Sequence, residues 1–265
     1  MDARQFLEAV WPETGIYCLA LPFTPPGATR PIYAHVTFEN IADAAAEAER
    51  LAAKKDVFFS CFTLKEHKVW NETKTDPKTG ELGAWEYRTH SNMAECRCFF
   101  FDLDVEAGNP KKYDNRQEAL DALEQFLFTT QLPSPLITSS GGGFHVYWLL
   151  NEPIAADEWR QHAARLRHAA QTRGLRADPA RTTDVSSVLR VVGTFNHKRA
   201  PDLRPVEAIS RGARTDNDEF VRRLEELTPD FEPLARDAQP YVHGGGEGNL
   251  SVPIWNGPIS TLDEV

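Results

Sequence analysis

The chain has 265 residues, 41% of them apolar, enough for one large domain or two packed halves around a real core. No apolar run approaches the roughly 20 residues that a membrane helix needs, and the N-terminus, with Asp2, Arg4 and Glu8, lacks an apolar export signal, so a cytosolic protein without membrane attachment is expected. A net charge of −10 argues against a general nucleic-acid coat, yet the charge is uneven: Glu158 to Arg214 holds 12 Lys/Arg against 5 Asp/Glu, a local +7 that leaves −17 elsewhere, as suits one basic face for a polyanion and one acidic site for cations.

In chain order, Phe6, Leu7 and Val10 predict a short helix ended by Pro12, and the proline-rich stretch Leu21 to Pro31 reads as a loop. Ile41, Ala45, Ala48 and Ala52 recur at helical spacing over Ile41 to Lys54. Val57 to Leu64 reads as a strand, Thr73 to Gly83 as a hairpin loop, and Ala84 to Arg88 as a second strand. Cys96 to Val105 (CRCFFFDLDV) is the most strand-like run. Its Cys96 and Cys98 lack the usual two-to-four-residue spacer of paired zinc ligands and read as packing residues, and all four cysteines as reduced thiols.

Asn115 to Glu118 resembles a capping box, followed by a helix with Ala119, Leu120, Leu123, Phe126 and Leu127 on one face and stopped by Pro133 and Pro135. Leu136 to Thr138 and His145 to Leu150 read as strands joined through Ser139-Ser140-Gly141-Gly142-Gly143. A helix from Asp157 to near Gly174, a short strand at Val188 to Val192 and a helix at Asp216 to Leu227 follow. Residues 1–236 are expected to form the domain, and residues 237–265, rich in Gly and Pro, a linker or tail leading toward a further domain in a longer protein.

Three blocks carry chemistry. Asp102 and Asp104, two apart in a strand, project from one face with Cα atoms roughly 6.6 Å apart, while Leu103 and Val105 anchor the other face. Neighbouring carboxylates repel unless a cation lies between them, and a divalent pair is what polymerases place there. Ser140-Gly141-Gly142-Gly143-Phe144-His145 offers glycine backbone and two donors suited to a triphosphate, and three glycines after two serines exceed the needs of a tight two-residue hairpin. In the third, Thr182 to Lys198, Asp184 is a further acid, Arg190 and Lys198 suit phosphate oxygens, and Gly193-Thr194 turns Asn196 and Lys198 toward the same cleft.

In this order the blocks resemble the archaeo-eukaryotic primase superfamily, specifically the primase-polymerase domains of phage- and plasmid-type replication proteins. FFFDLDVE resembles its strand ending in Asp-x-Asp/Glu, Ser140 to His145 its Ser-Gly-x-Gly-x-His, and LRVVGTFNHK its Leu-Arg-x-Pro-Gly-Thr-x-Asn-x-Lys, with Val192 where proline is usual. The resemblance covers about Tyr33 to Arg236. It implies an α+β fold in which an RRM-like antiparallel sheet is joined to an N-terminal α/β module. It also implies metal-dependent nucleotidyl transfer with Mg²⁺ or Mn²⁺ on Asp102, Asp104 and Asp184, making or extending primers on single-stranded DNA, in systems where a helicase often follows. NTP or dNTP would be held by Ser140, Gly141, Gly143, His145, Arg190, Asn196 and Lys198. Asp178, in Ala177-Asp178-Pro179, is the rival third acid; Asp184 is preferred because it stands six residues before Arg190.

Arg165, Arg173 and Arg176, on or just after the helix bearing Trp159 and Leu166, are the expected DNA contacts, projecting together toward solvent. A rolling-circle nuclease would need a His-x-His pair, and none of the eight histidines has a partner two residues away. A catalytically idle DNA-binding or origin-recognition module is the alternative reading.

Overall fold

The computed structural model describes residues 1–24, 31–75 and 80–233, so the expected tail lies outside the described residues. The elements are α1 (Ala3–Val10), β1 (Tyr17–Phe23), β2 (Ile32–Phe38), α2 (Ile41–Leu51), β3 (Phe58–Ser60), β4 (Val69–Thr75), β5 (Leu82–Glu86), β6 (Glu95–Asp104), α3 (Arg116–Thr130), β7 (Leu136–Ser139), β8 (Gly143–Ala155), α4 (Ala156–Thr172), α5 (Pro179–Thr183) and β9 (Val188–Arg190). Four two-residue strands follow, β10 (Phe195–Asn196), β11 (Arg204–Pro205), β12 (Glu207–Ala208) and β13 (Arg214–Thr215), and then α6 (Asn217–Leu227).

The fold is mixed α+β with two main sheets. The first is antiparallel in the order β2-β1-β3-β9, so the third sequence block closes the N-terminal sheet, with Arg190 directly opposite Phe58. In the second, β8 is central: β6 runs antiparallel along one side, β7 along the other with β12 beyond it, and β13 adds a short parallel pairing. The α1 helix packs between the sheets because Asp2 caps its start in a capping box and Phe6, Leu7 and Val10 fall on one buried face. Phe6 meets Phe59 of the first sheet at 5.3 Å and Tyr147 of the second at 5.6 Å, both edge-on. On α4, Trp159 stacks on Phe99 and Phe100 and donates its Nε1 hydrogen to the Cys98 carbonyl. Cys96 and Cys98 are buried in this core, their sulfurs 3.8 Å apart.

Two expectations change. The loop expected from Leu21 is strand through Phe23: β1 is buried at each of its first five positions, so it has no polar alternation to betray it. The stretch from Thr73 is also partly strand, since β4 runs to Thr75 and β5 begins at Leu82. This two-stranded hairpin pairs with neither main sheet, which is why its sequence is largely polar.

Candidate active site

Strand alternation places Leu103 in the core and leaves Asp102 and Asp104 half-buried on the opposite face. Across the pairing with β8, Asp102 stands opposite His145 and Asp104 opposite Gly143. Burial, reinforced by the Asp104 charge, pushes the Asp102 carboxyl up from 3.8 to about 7. Arg181 works against that shift from 3.1 Å. Lys112 Nζ lies 3.3 Å from Asp104 and 2.8 Å from Glu106, so one ammonium bridges two acids of the Asp-Leu-Asp-Val-Glu run.

The second block is a tight hairpin after all. Ser139 pairs with Phe144, and the Ser140 amide donates to the Gly143 carbonyl, leaving Gly141-Gly142 as a two-residue loop. The extra glycines serve close approach as well as the turn. A Cβ on Gly143 would collide with the Leu103 carbonyl of β6, and one on Gly141, at φ +76°, would lie 2.7 Å from Asn196 Cβ. Ser140 accepts from the Gly143 amide, and Asn196 donates from Nδ2 to the Ser140 carbonyl, tying the hairpin to the third block. His145 is buried, its Nε2 3.9 Å from Asp102 Oδ1. Desolvation, aided by Arg190 and Arg181, holds its pKa well below the usual imidazole value, so the ring is neutral and this contact is not an ion pair.

The third block splits. Asp178 and Asp184 lie at opposite ends of the five-residue α5, as N-cap and C-cap. The Asp178 amide donates to the Asp102 carbonyl at 2.9 Å, and Arg181 reaches both Asp102 and Asp178, at 3.1 and 3.7 Å. Asp184 is engaged elsewhere: His90 Nε2 is 3.0 Å away, and the amide and hydroxyl of Ser186 donate to it. Burial alone would raise the Asp184 pKa, but those hydrogen bonds outweigh it and hold the carboxyl low. Arg190 is paired with Asp56 at 2.9 Å and lies over Phe58. Asn196 accepts from the Lys198 amide through Oδ1, and the Lys198 side chain is exposed.

Of the arginines expected to project toward solvent, Arg173 and Arg176 are exposed and Arg165 is half-buried, and all three make intramolecular contacts. Arg165 reaches Thr228, Glu225 and the Phe231 ring; Arg173 donates to the Leu227 carbonyl at the end of α6; Arg176 donates to the Lys112 carbonyl and Glu118. Their helix face packs against α6, whose last carbonyls attract cations.

What converges is a cleft of about 190 Å³ lined by Asp104, Glu106, Lys112, Ser140, Gly141, Gly142, Arg190, Asn196, Lys198, Arg199 and Arg204. Asp104 and parts of the second and third blocks therefore share one cavity, in which cations outnumber acids. Gly143 and His145 are not in its lining; Gly143 spaces the strands and His145 flanks Asp102. Sequence reasoning missed Lys112, Arg181, Arg199 and Arg204. Only Glu106 carried a signal, as the third acid of an alternating run.

No protein-family model matches the sequence, and comparison with curated proteins gives no significant match. Solved structures do match. The primase-polymerase AEP domain of cyanophage S-2L superposes with a TM-score of 0.51 at 13% identity, over 80% of this chain and 90% of that one. The primase RepB′ superposes with a TM-score of 0.50 at 13% identity over 86% of this chain, which spans 62% of the RepB′ chain. The fold is that of an archaeo-eukaryotic primase-polymerase domain.

Within this primase-polymerase fold, the donor chemistry at Asp102 and Asp104 fits a hard divalent cation: two carboxylates on one strand face, one of them desolvated enough to resist ionisation alone. Among the described residues no group of three or more His, Cys, Asp or Glu stands in a metal-holding arrangement, and the guanidinium of Arg181 lies between Asp102 and the next acid, Asp178. Likewise among the described residues, no helix is long and apolar enough to cross a membrane.

Proposed function

We propose that the chain is a DNA primase or DNA-directed polymerase, joining NTP or dNTP by metal-dependent, template-directed nucleotidyl transfer on single-stranded DNA. One observation carries this reading: Asp104, on the same strand face as Asp102, lines a cleft whose walls supply Lys112, Arg190, Lys198, Arg199 and Arg204, an arrangement complementary to a cation–triphosphate complex.

Asp102, Asp104 and a third acid would hold Mg²⁺ or Mn²⁺, and the bound ions would activate the 3′-hydroxyl and neutralise charge on the leaving pyrophosphate. For the third acid, Asp178 is supported over Asp184 by its backbone bond to Asp102 and by the shared Arg181, while the oxygens of Asp184 already accept from His90 and Ser186. The chain's own groups then divide the work. Lys112, Lys198 and Arg204 bind triphosphate oxygens, the Asn196–Ser140 bond fixes the hairpin against the cleft wall, and neutral His145 offers a donor beside Asp102 without adding charge. Arg190, clamped by Asp56, positions the cleft wall.

Primer synthesis and extension on single-stranded DNA, with labelled ATP and dNTPs and with Mg²⁺ and Mn²⁺ compared, tests this. Template-dependent products support it, and no product under any condition overturns it. A second reading, a DNA-binding module without catalysis, is favoured by the guanidinium already bridging Asp102 and Asp178. It predicts DNA binding with no incorporation in the same assay.

A further inference from the structure

We propose that the β4–β5 hairpin and the adjoining face of the N-terminal sheet form a track for single-stranded nucleic acid, beginning at Trp70 and Trp85 and ending at Arg190 on the cleft. The inference rests on the polymerase reading for the destination of the strand, but the surface stands on its own contacts. Trp70 and Trp85 lie directly opposite each other across the hairpin, ring centroids 5.2 Å apart, and are 50% and 37% exposed. A Cβ on Gly83, at φ +102°, would collide with the Trp70 ring, so a glycine makes room for the indole to lie on the backbone. Lys68 Nζ sits 4.5 Å over the Trp85 ring.

A cross-strand tryptophan pair stabilises an isolated hairpin, but that role alone does not call for leaving half of Trp70 in water. The chain after β5 continues the same chemistry inward. Tyr87 stacks on His35, and Arg88 donates to His35 Nε2, reaches the Ser186 carbonyl and covers the Tyr33 ring at 5.4 Å. Among the described residues no carboxylate lies at ion-pair distance from the half-buried Arg88, so its positive charge adds to the potential of this face. Tyr33 meets Phe58 edge-on at 5.9 Å, and Arg190, a cleft-lining residue, lies over Phe58 at 4.6 Å.

Aromatic rings alternating with cations are what a single strand requires: each base has a π-face to stack, and each nucleotide a phosphate to neutralise. A duplex hides those faces, and a purely apolar protein partner has no use for the cations.

The test is binding of a fluorescent oligothymidylate by the full chain, titrated with salt, for wild type, Trp70→Ala/Trp85→Ala, Trp70→Phe/Trp85→Phe and Lys68→Gln. The double alanine variant should bind about tenfold or more weakly, the loss expected when base stacking is removed. Its salt slope should be unchanged because no charge is lost. The phenylalanine variant should recover most of the affinity, and Lys68→Gln should reduce the slope by about 0.7. Unchanged affinity in the double alanine variant, with the fold intact by circular dichroism, overturns the track and leaves the pair to a protein contact. The two readings separate cleanly. Tryptophan-dependent binding without nucleotide incorporation sinks the polymerase reading alone, and normal primer extension with tryptophan-independent binding sinks the track alone.

Discussion

Arg181 Nε lies 3.1 Å from Asp102 Oδ2, so the acid that shares a strand face with Asp104 is paired with a guanidinium carried on α5. A cation arriving at Asp102 must compete with that guanidinium. Replacing Arg181 by Gln should therefore destabilise the metal-free protein at pH 8 by about 1–3 kcal/mol, since a buried carboxylate loses its charged donor. Adding Mn²⁺ should raise the melting temperature more in Arg181→Gln than in wild type. Equal metal-induced shifts would show that metal and guanidinium do not share the site.

Asp102 also sets a pH signature. Burial first, and Asp104 second, raise its folded-state pKa to about 7 from 3.8, so between those values the folded chain holds a proton that the unfolded chain has released. Stability from this group is present below about 4 and is lost as pH rises toward about 7. Buried neutral His145 acts oppositely, losing stability as pH falls below the ordinary imidazole range. The difference between Asp102→Asn and wild type isolates the first effect. The variant should gain relative stability as pH rises from about 4 to about 7 and plateau above that, by at most about 4 kcal/mol. Denaturant unfolding at several pH values measures it; a flat difference would mean that Asp102 ionises normally.

Much of this was legible beforehand. The Cys96–Val105 strand, the helices beginning after Asn40, Asn115 and Asp216, and the order of the three blocks all rest on local pattern, and the cap hydrogen bonds are present at each of those helices. The half of the site contributed by Lys112, Arg181, Arg199 and Arg204 was not legible, because each is an ordinary cation in its local sequence and acquires meaning only where β6, α5 and the β10–β11 turn meet. The sequence preference for Asp184 over Asp178 rested on spacing alone for the same reason: both cap one short helix, and the backbone bond of the Asp178 end to β6 appears only in the fold.

That distinction is testable. Asp178→Asn keeps an N-cap of similar quality but removes a charge beside Asp102, and should reduce nucleotide incorporation by about a hundredfold or more, the scale of losing an electrostatic catalytic contact. Asp184→Asn should lower the melting temperature, because Asp184 accepts from His90 and Ser186, while leaving incorporation per folded molecule within about twofold. The reverse pattern restores Asp184 as the third acid.

Arg165, Arg173 and Arg176 fasten α4 and its C-terminal extension to α6, to the loop before α3 at Lys112 and to Glu118 in the first turn of α3. Changing all three to Gln should lower thermal stability by about 1–3 kcal/mol in sum. The salt slope of single-stranded DNA binding should stay as in wild type. A slope flattened by about two units or more would place these side chains on phosphates instead.

Gly143 gives a sharper structural test, because Asp104 is its direct partner and any Cβ there collides with the Leu103 carbonyl. Gly143→Ala should push β6 from β8, costing about 2 kcal/mol or more, and should depress incorporation even below the new melting temperature. Normal stability would mean the strands yield without cost.

The central claim is that Asp102 and Asp104 catalyse nucleotide addition and do not merely shape the fold. Single-turnover incorporation of one labelled dNTP onto a preformed primer–template, with Mn²⁺ and at fixed pH, tests it on Asp102→Asn and Asp104→Asn beside wild type. The account predicts incorporation by wild type and a loss of about a thousandfold or more in each variant, with single-stranded DNA affinity unchanged. Incorporation by either variant at a rate near that of wild type would contradict it.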